Sequence, residues 1–181
     1  RLCRKGVEII VTHPNRPEDN LELFDLLGYV FSCEVTGENF SSALKEKLHL
    51  LAEESTLLEM KKVLYLIWRD PWMTVSNSTY ISNMLELIRW KTVPISTEPR
   101  YPELSVNELA ELKFDLCLLS SEPYPFRSKH IEEIKKIRDS NGEIILVDGE
   151  KLSWYGSRAL KGLDYLLTLV QLPVNTEDSR L

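Results

Sequence analysis

The chain has 181 residues, of which 43% are hydrophobic and 28% charged, and it carries a formal net charge of −6. This composition is typical of a globular protein and excludes a basic nucleic-acid-binding domain, because such a domain meets phosphates with an excess of lysine and arginine. No window of the sequence has the length and hydropathy of a membrane span or of a signal peptide.

The first forty residues hold one predicted strand and one predicted helix. Residues 7–12 form the β-branched run VEIIVT, which predicts a strand. Pro17, followed by two acidic residues, indicates a helix start, and apolar residues spaced near 3.6 continue that helix to Phe31. A single strand makes no stable sheet, so this strand either joins the later sheet or belongs to an N-terminal lobe. We favour the second interpretation and assign residues 1–40 to the remnant of an N-terminal lobe.

A long run with few helix breakers predicts a single helix over residues 41–60, and we assign residues 41–62 to a bridging helix. Beyond it, apolar strands are predicted at 63–67, 114–119 and 144–147, and helices at 79–90, 105–112, 129–139 and 158–171. Ser105 and Glu108 have the spacing of a capping box. Strands alternating with helices predict an α/β fold, in which a mostly parallel, Rossmann-like sheet flanked by helices occupies residues 63–181.

Ligands of such sheets bind beyond the carboxyl ends of the strands, which selects the loops 68–78, 120–128 and 148–157. These loops are rich in aromatic rings with polar tips and in charged side chains, which suit a bulky planar ligand. The predicted ligand-binding residues are Trp68, Arg69, Asp70, Trp72, Glu122, Tyr124, Phe126, Trp154, Tyr155 and Arg158. Any one of these rings could instead cover the core. The binding hypothesis expects Trp72→Ala and Trp154→Ala to weaken binding while leaving stability nearly unchanged.

The sequence contains few of the residue patterns that support catalysis or metal binding. The histidines, His13, His49 and His130, lack any metal-site spacing and are expected at the surface, and the three cysteines match no metal or disulfide framework. No phosphate loop and no nucleophile elbow occur. Glu122 and Asp148 could act as a carboxylate pair, although carboxylates at strand ends also cap helices. We therefore predict no catalytic residue, no metal site and no cofactor.

The loop sequences resemble those of a known family. The matching stretches are Trp68-Arg69-Asp70-Pro71-Trp72-Met73, Arg100-Tyr101-Pro102-Glu103-Leu104-Ser105, Ser121-Glu122-Pro123-Tyr124-Pro125-Phe126, Asp148-Gly149-Glu150 and Trp154-Tyr155-Gly156-Ser157-Arg158. They are similar to class III, helical-backbone substrate-binding proteins of ABC importers, the receptors for cobalamin, iron-siderophore complexes and haem. The resemblance covers residues 63–169.

The resemblance implies two α/β lobes joined by a rigid helix, with a corrinoid or metal chelate bound in the cleft between them. It further implies no catalysis, delivery of the ligand to an ABC permease, and a periplasmic or exported location. A complete member has more strands before the bridging helix, so part of the cleft is missing from this sequence. Self-association through the incomplete lobe is left open.

Two other functions remain open from the sequence. An aromatic loop face would also suit a protein-interaction module that binds a partner chain. Related two-lobed folds occur in chelatases, so a chelatase-like enzyme with Glu122 or Asp148 as its general acid or base is the other alternative.

Overall fold

The computed structural model describes residues 6, 8–138 and 142–171. The helices are α1 (Asn20–Val30), α2 (Glu34–Ser55), α3 (Tyr80–Glu86), α4 (Val106–Glu111), α5 (Ser128–Ile137), α6 (Gly149–Ser153) and α7 (Arg158–Val170), and a 3₁₀ turn, Pro17–Asp19, precedes α1. The strands are β1 (Lys61–Trp68), β2 (Trp72–Thr74), β3 (Trp90–Thr92), β4 (Glu103–Leu104), β5 (Leu116–Ser120) and β6 (Glu143–Val147). No helix within these ranges is long and apolar enough to cross a membrane.

The strands form a mixed sheet in the order β4-β2-β1-β5-β6, and β3 pairs with the beginning of β1. β1 runs parallel to β3 and β5, and β5 runs parallel to β6. β2 is antiparallel to β1, and β4 is antiparallel to β2. The predicted α/β fold is confirmed, and its parallel part is the part that carries the three selected loops.

Successive residues of the central strands face opposite sides of the sheet, and both sides are buried. Tyr65 and Leu118 point into one core, which α2, α3 and α7 cover, whereas Leu66 and Leu119 point into a second core with Ile134 of α5. Burial of both faces explains why the sequences of β1 and β5 read as continuous apolar runs instead of alternating ones.

The long helix is displaced from its predicted position. α2 begins at Glu34 instead of residue 41 and ends at Ser55 instead of residue 60, and the segment up to residue 62 already includes the start of β1. Gly37 lies inside α2. A Cβ at Gly37 would stand 2.7 Å from the carbonyl oxygen of Phe24, so glycine allows α1 and α2 to pack closely.

The strand predicted at residues 7–12 is wrong for residues 8–12, which have no regular secondary structure, and Val7 lies outside the described residues. Ile9 is 45% exposed and Val11 85% exposed. An extended segment needs backbone hydrogen bonds to a neighbouring strand. Residues 8–12 pair with none of the described strands of the sheet.

The predicted loops contain short elements that the sequence pattern did not indicate. β2 lies in the loop 68–78, and α6 lies in the loop 148–157. The helix predicted at 79–90 is shorter: α3 ends at Glu86, and a turn in which Arg89 has a left-handed φ of 60° leads into β3 at Trp90. The capping box before α4 is confirmed, since the Glu108 backbone N donates to Ser105 Oγ (3.2 Å) and the Ser105 backbone N donates to Glu108 Oε2 (2.8 Å).

Candidate ligand-binding face

The carboxyl ends of β1, β5 and β6 lie side by side at one edge of the sheet. Leu66 of β1 is opposite Leu119 of β5, and Leu119 is opposite Leu146 of β6. The segments that leave these strands therefore meet at the same edge, as the parallel sheet predicted. We call the exposed or half-buried rings on these segments, Trp68, Tyr124, Trp154 and Tyr155, the aromatic edge.

Trp68 and Tyr124 form the first pair of the aromatic edge. Their rings meet edge to face with centroids 5.6 Å apart, and Trp68 is 39% exposed. The Tyr124 hydroxyl lies 3.2 Å from Nε2 of His130, whose Nδ1 accepts a hydrogen bond from the Arg127 backbone N at 2.9 Å. Because Nδ1 is an acceptor, the neutral ring carries its proton on Nε2, and Nε2–H donates a hydrogen bond to the Tyr124 hydroxyl.

His130 is therefore a buried support for the aromatic edge, and its predicted surface position is wrong. Only 3% of the residue is exposed. Burial, followed by the nearby charge of Lys129, lowers the pKa of His130 below its ordinary value. His13 and His49 are exposed, as predicted.

Trp154 is held in place by Glu122 and Arg158. The indole Nε1 donates a hydrogen bond of 2.5 Å to Glu122 Oε1, and the Ser153 hydroxyl donates to the same oxygen at 3.1 Å. The Arg158 guanidinium lies 4.2 Å from the centre of the indole ring and forms an ion pair of 2.5 Å with Glu150. The ring is nevertheless 44% exposed, so it is oriented and still accessible.

Ser120 and Tyr65 support Glu122 from below. The Ser120 hydroxyl donates to the Glu122 carbonyl oxygen at 2.5 Å and accepts a hydrogen bond from the Tyr65 hydroxyl at 3.0 Å. Complete burial raises the pKa of Tyr65 above its ordinary value, so the phenol remains a donor. A Cβ at Gly149 would stand 2.9 Å from Glu122 Cγ, which explains the glycine at the start of α6.

Tyr155 packs on α3, and its neighbour Gly156 is hydrogen-bonded to Asn20 at the start of α1. Its ring is 45% exposed and meets the buried Tyr80 ring edge to face at 6.2 Å. Asn20, which is fully buried, donates to the Tyr80 hydroxyl at 3.2 Å and accepts from the Gly156 backbone N at 2.6 Å. Burial raises the pKa of Tyr80 to about 12. Sequence reasoning missed Asn20, because its partners are distant in the chain.

The architecture is similar to that of several solved protein structures. No protein-family model matches the chain, and no curated protein matches it. Among solved structures, the periplasmic vitamin B12-binding protein BtuF of Vibrio cholerae is similar with a TM-score of 0.75 and 12% identity, over 94% of this chain and 68% of that one. The periplasmic haem-binding protein RhuT of Roseiflexus sp. RS-1 has a TM-score of 0.76 and 16% identity, over 94% and 69%. The periplasmic haem-binding protein HutB of Vibrio cholerae has a TM-score of 0.71 and 18% identity, over 95% and 70%.

The chain has the fold of the class III substrate-binding proteins. The resemblance that the loop motifs indicated is confirmed at the level of the fold. The chain spans about two thirds of the length of these structures, so the substrate-binding-protein fold is present in part.

Within this substrate-binding-protein fold, two of the predicted ligand-binding rings lie in the core. Trp72 is 6% exposed and Phe126 is 5% exposed, and their rings stack with centroids 6.3 Å apart and an interplanar angle of 7°. The sequence could not distinguish these rings from the exposed ones. Their burial overturns the expectation that Trp72 can be removed without loss of stability.

Arg69 and Asp70 lie beside the aromatic edge. Arg69 forms a bidentate ion pair with Glu133 of α5, and this pair lowers the pKa of the Glu133 carboxyl. Asp70 is exposed, and its backbone has a left-handed φ of 70° at the tip of the turn between β1 and β2. Together with Pro71, Trp72 and Glu133, they line a groove of about 500 Å³.

Two grooves lie beside the aromatic edge. A second groove of about 580 Å³ is lined by Ser121, Glu122, Leu146, Val147, Asp148 and Glu150, next to Trp154. In the described part of the chain, no group of three or more His, Cys, Asp or Glu side chains could hold a metal ion. The Glu122 carboxylate accepts hydrogen bonds from Trp154 and Ser153, an arrangement that orients a ring.

Proposed function

We propose that this protein is the substrate-binding component of an ABC importer, which binds a cobalamin-like compound or another metal chelate without catalysing a reaction. The observation that supports this function is the aromatic edge, because its rings are accessible at the sheet edge where α/β folds bind ligands and are fixed from behind. Two of the similar structures are named as a vitamin B12-binding protein and a haem-binding protein, and both of those ligands contain a large macrocyclic ring.

The proposal includes a location, a partner and an arrangement of lobes. The protein would act in the periplasm or outside the cell and deliver its ligand to an ABC permease. The first lobe would precede α2 (Glu34–Ser55), α2 would form the bridging helix, and the second lobe would begin with β1 (Lys61–Trp68). α2 would be the core of the bridge, since it packs on both α1 and α7.

The first test is a titration of cyanocobalamin, haemin and ferric siderophores into the protein, followed by quenching of tryptophan fluorescence. Saturable quenching by one of them, together with full recovery of the unmodified ligand by chromatography, supports binding without turnover. Conversion of the ligand would support the chelatase-like alternative. Absence of quenching by every compound would contradict the proposal and leave the protein-interaction module as the function to test.

Variants locate the binding site. Trp154→Ala and Trp68→Ala should each weaken binding by about tenfold, because stacking of a ring on a ligand contributes about 1–3 kcal/mol. Tyr101→Ala is the matched control, since Tyr101 is also 44% exposed but lies in the segment before β4. Equal weakening by all three variants would place the site elsewhere.

A further inference from the structure

Three cations at the aromatic edge are engaged in ion pairs with neighbouring carboxylates. Arg158 pairs with Glu150 at 2.5 Å, and Arg69 pairs with Glu133 in a bidentate arrangement. Lys151 lies 3.2 Å from Asp148. An anionic ligand that recruited one of these cations would leave a carboxylate uncompensated, which lowers the affinity gained from the new contact.

Two carboxylates at the same edge, Glu122 and Asp70, form no ion pair in the described part of the chain, although the charge of Arg69 acts on its neighbour Asp70. Glu122 Oε1 accepts only uncharged donors, from Trp154 and Ser153, and this carboxylate touches the exposed indole directly. Asp70 is exposed at the tip of the turn after β1. A negatively charged group that stacked on the Trp154 ring would therefore approach the Glu122 carboxylate, while the Arg158 guanidinium against the same ring is already paired with Glu150.

The three loops carry more carboxylates than cations, so there is no surplus that attracts anions. The loop cations are Arg69, Arg127 and Lys151, the loop carboxylates are Asp70, Glu122, Asp148 and Glu150, and Arg158 follows at the start of α7. The arrangement of these charges also matters. Arg69, Lys151 and Arg158 are paired with carboxylates, whereas the Glu122 carboxylate contacts an exposed ring and forms no ion pair in the described part of the chain. A carboxylate in that position accepts hydrogen bonds from amide N–H or hydroxyl groups on the periphery of a ligand.

We infer that the aromatic edge selects uncharged or cationic ligands rich in hydrogen-bond donors, such as amide-bearing corrinoids or neutral and cationic hydroxamate chelates, over polyanionic chelates. This inference rests on the proposed function and narrows its ligand class. Glu122 would determine this specificity, and Asp70 would reinforce it at longer range. Haem, with its two propionates, and catecholate siderophores would be the disfavoured ligands.

The test compares ligands that differ in charge and little else. Cyanocobalamin and its monocarboxylic acid differ by one amide-to-carboxylate replacement, and ferrioxamine B and its N-succinyl derivative differ at one terminal amine. The amide member should bind about tenfold more tightly than its acid, since two like charges about 6 Å apart at a partly hydrated surface repel by that factor. The ferrioxamine pair changes charge from +1 to −1, so its gap should be about a hundredfold. High salt should narrow this gap.

Glu122→Gln identifies the residue responsible. Glutamine keeps a carbonyl oxygen for the Trp154 and Ser153 donors and removes the charge, so the gap within each ligand pair should shrink to about threefold or less. Glu59→Gln is the control, because Glu59 is exposed just before β1, at the opposite edge of the sheet, and the gap should stay unchanged.

The outcomes distinguish the charge selection from the proposed binding function. Tighter or equal binding of the acid members, or a gap that Glu122→Gln leaves intact, would overturn the charge selection while the proposed binding function stands. Failure of every corrinoid, hydroxamate, catecholate and haemin probe to bind would overturn both.

Discussion

Replacing Trp72 with alanine should lower the free energy of unfolding by about 3–5 kcal/mol, the usual result of deleting a buried tryptophan. Trp72 is 6% exposed and stacks on Phe126, and the Arg69 guanidinium lies 5.7 Å from the centre of its ring. Domains of this size unfold with about 5–15 kcal/mol, so the loss is a large share of the total. The Tm should fall by roughly 10 °C.

Trp154→Ala provides the matched comparison. Trp154 is 44% exposed, and its hydrogen bond to Glu122 lies at the surface, where water can replace it. Its removal should cost about 1 kcal/mol or less. The pair therefore distinguishes a ring that stabilises the core from a ring that is held accessible.

Urea unfolding followed by far-UV circular dichroism measures both variants without relying on tryptophan fluorescence. Trp72→Phe is a useful intermediate, because phenylalanine retains a ring against Phe126 and should recover part of the loss. A Trp72→Ala variant within about 1 kcal/mol of the wild type, or equal losses for both alanine variants, would refute this account of the core.

Three further predictions concern buried groups. Asn20→Ala should cost about 2–3 kcal/mol in urea unfolding, because a fully buried amide links the α6–α7 connection to α3 and its removal leaves partners unsatisfied; a loss below 1 kcal/mol would contradict that link. The folded-state pKa of His130 is lowered, so its contribution to stability is complete above the unfolded pKa of about 6.5 and is lost as the pH falls through the folded pKa. His130→Asn keeps an acceptor for the first turn of α5 and should flatten the stability–pH curve below that value, and an unchanged curve would assign the dependence to other groups. In a Cys3→Ser background, Cys33 should react rapidly with a thiol reagent in the folded protein, whereas Cys117 should react only on unfolding, because it is buried and burial raises its pKa; two rapidly reacting thiols would contradict its burial.

The sequence by itself determined the α/β fold and the order of its main elements. The apolar runs of β1 and β5 are continuous because both faces of these strands are buried, and this pattern is local enough to read from the sequence. The Ser105–Glu108 capping box is likewise local, since its partners are three residues apart. The parallel order of strands then placed three loops at one edge of the sheet.

Only the tertiary structure decided which residues of those loops are accessible. Trp72 and Trp154 have the same kind of sequence context, yet one is buried against Phe126 and the other is exposed beside Glu122. The Trp154–Glu122 hydrogen bond joins residues 32 positions apart, and the Gly156–Asn20 hydrogen bond joins residues 136 positions apart. The short strands β2, β3 and β4 escaped prediction for the same reason, because elements of two or three residues have no periodicity and are stabilised by strands elsewhere in the chain.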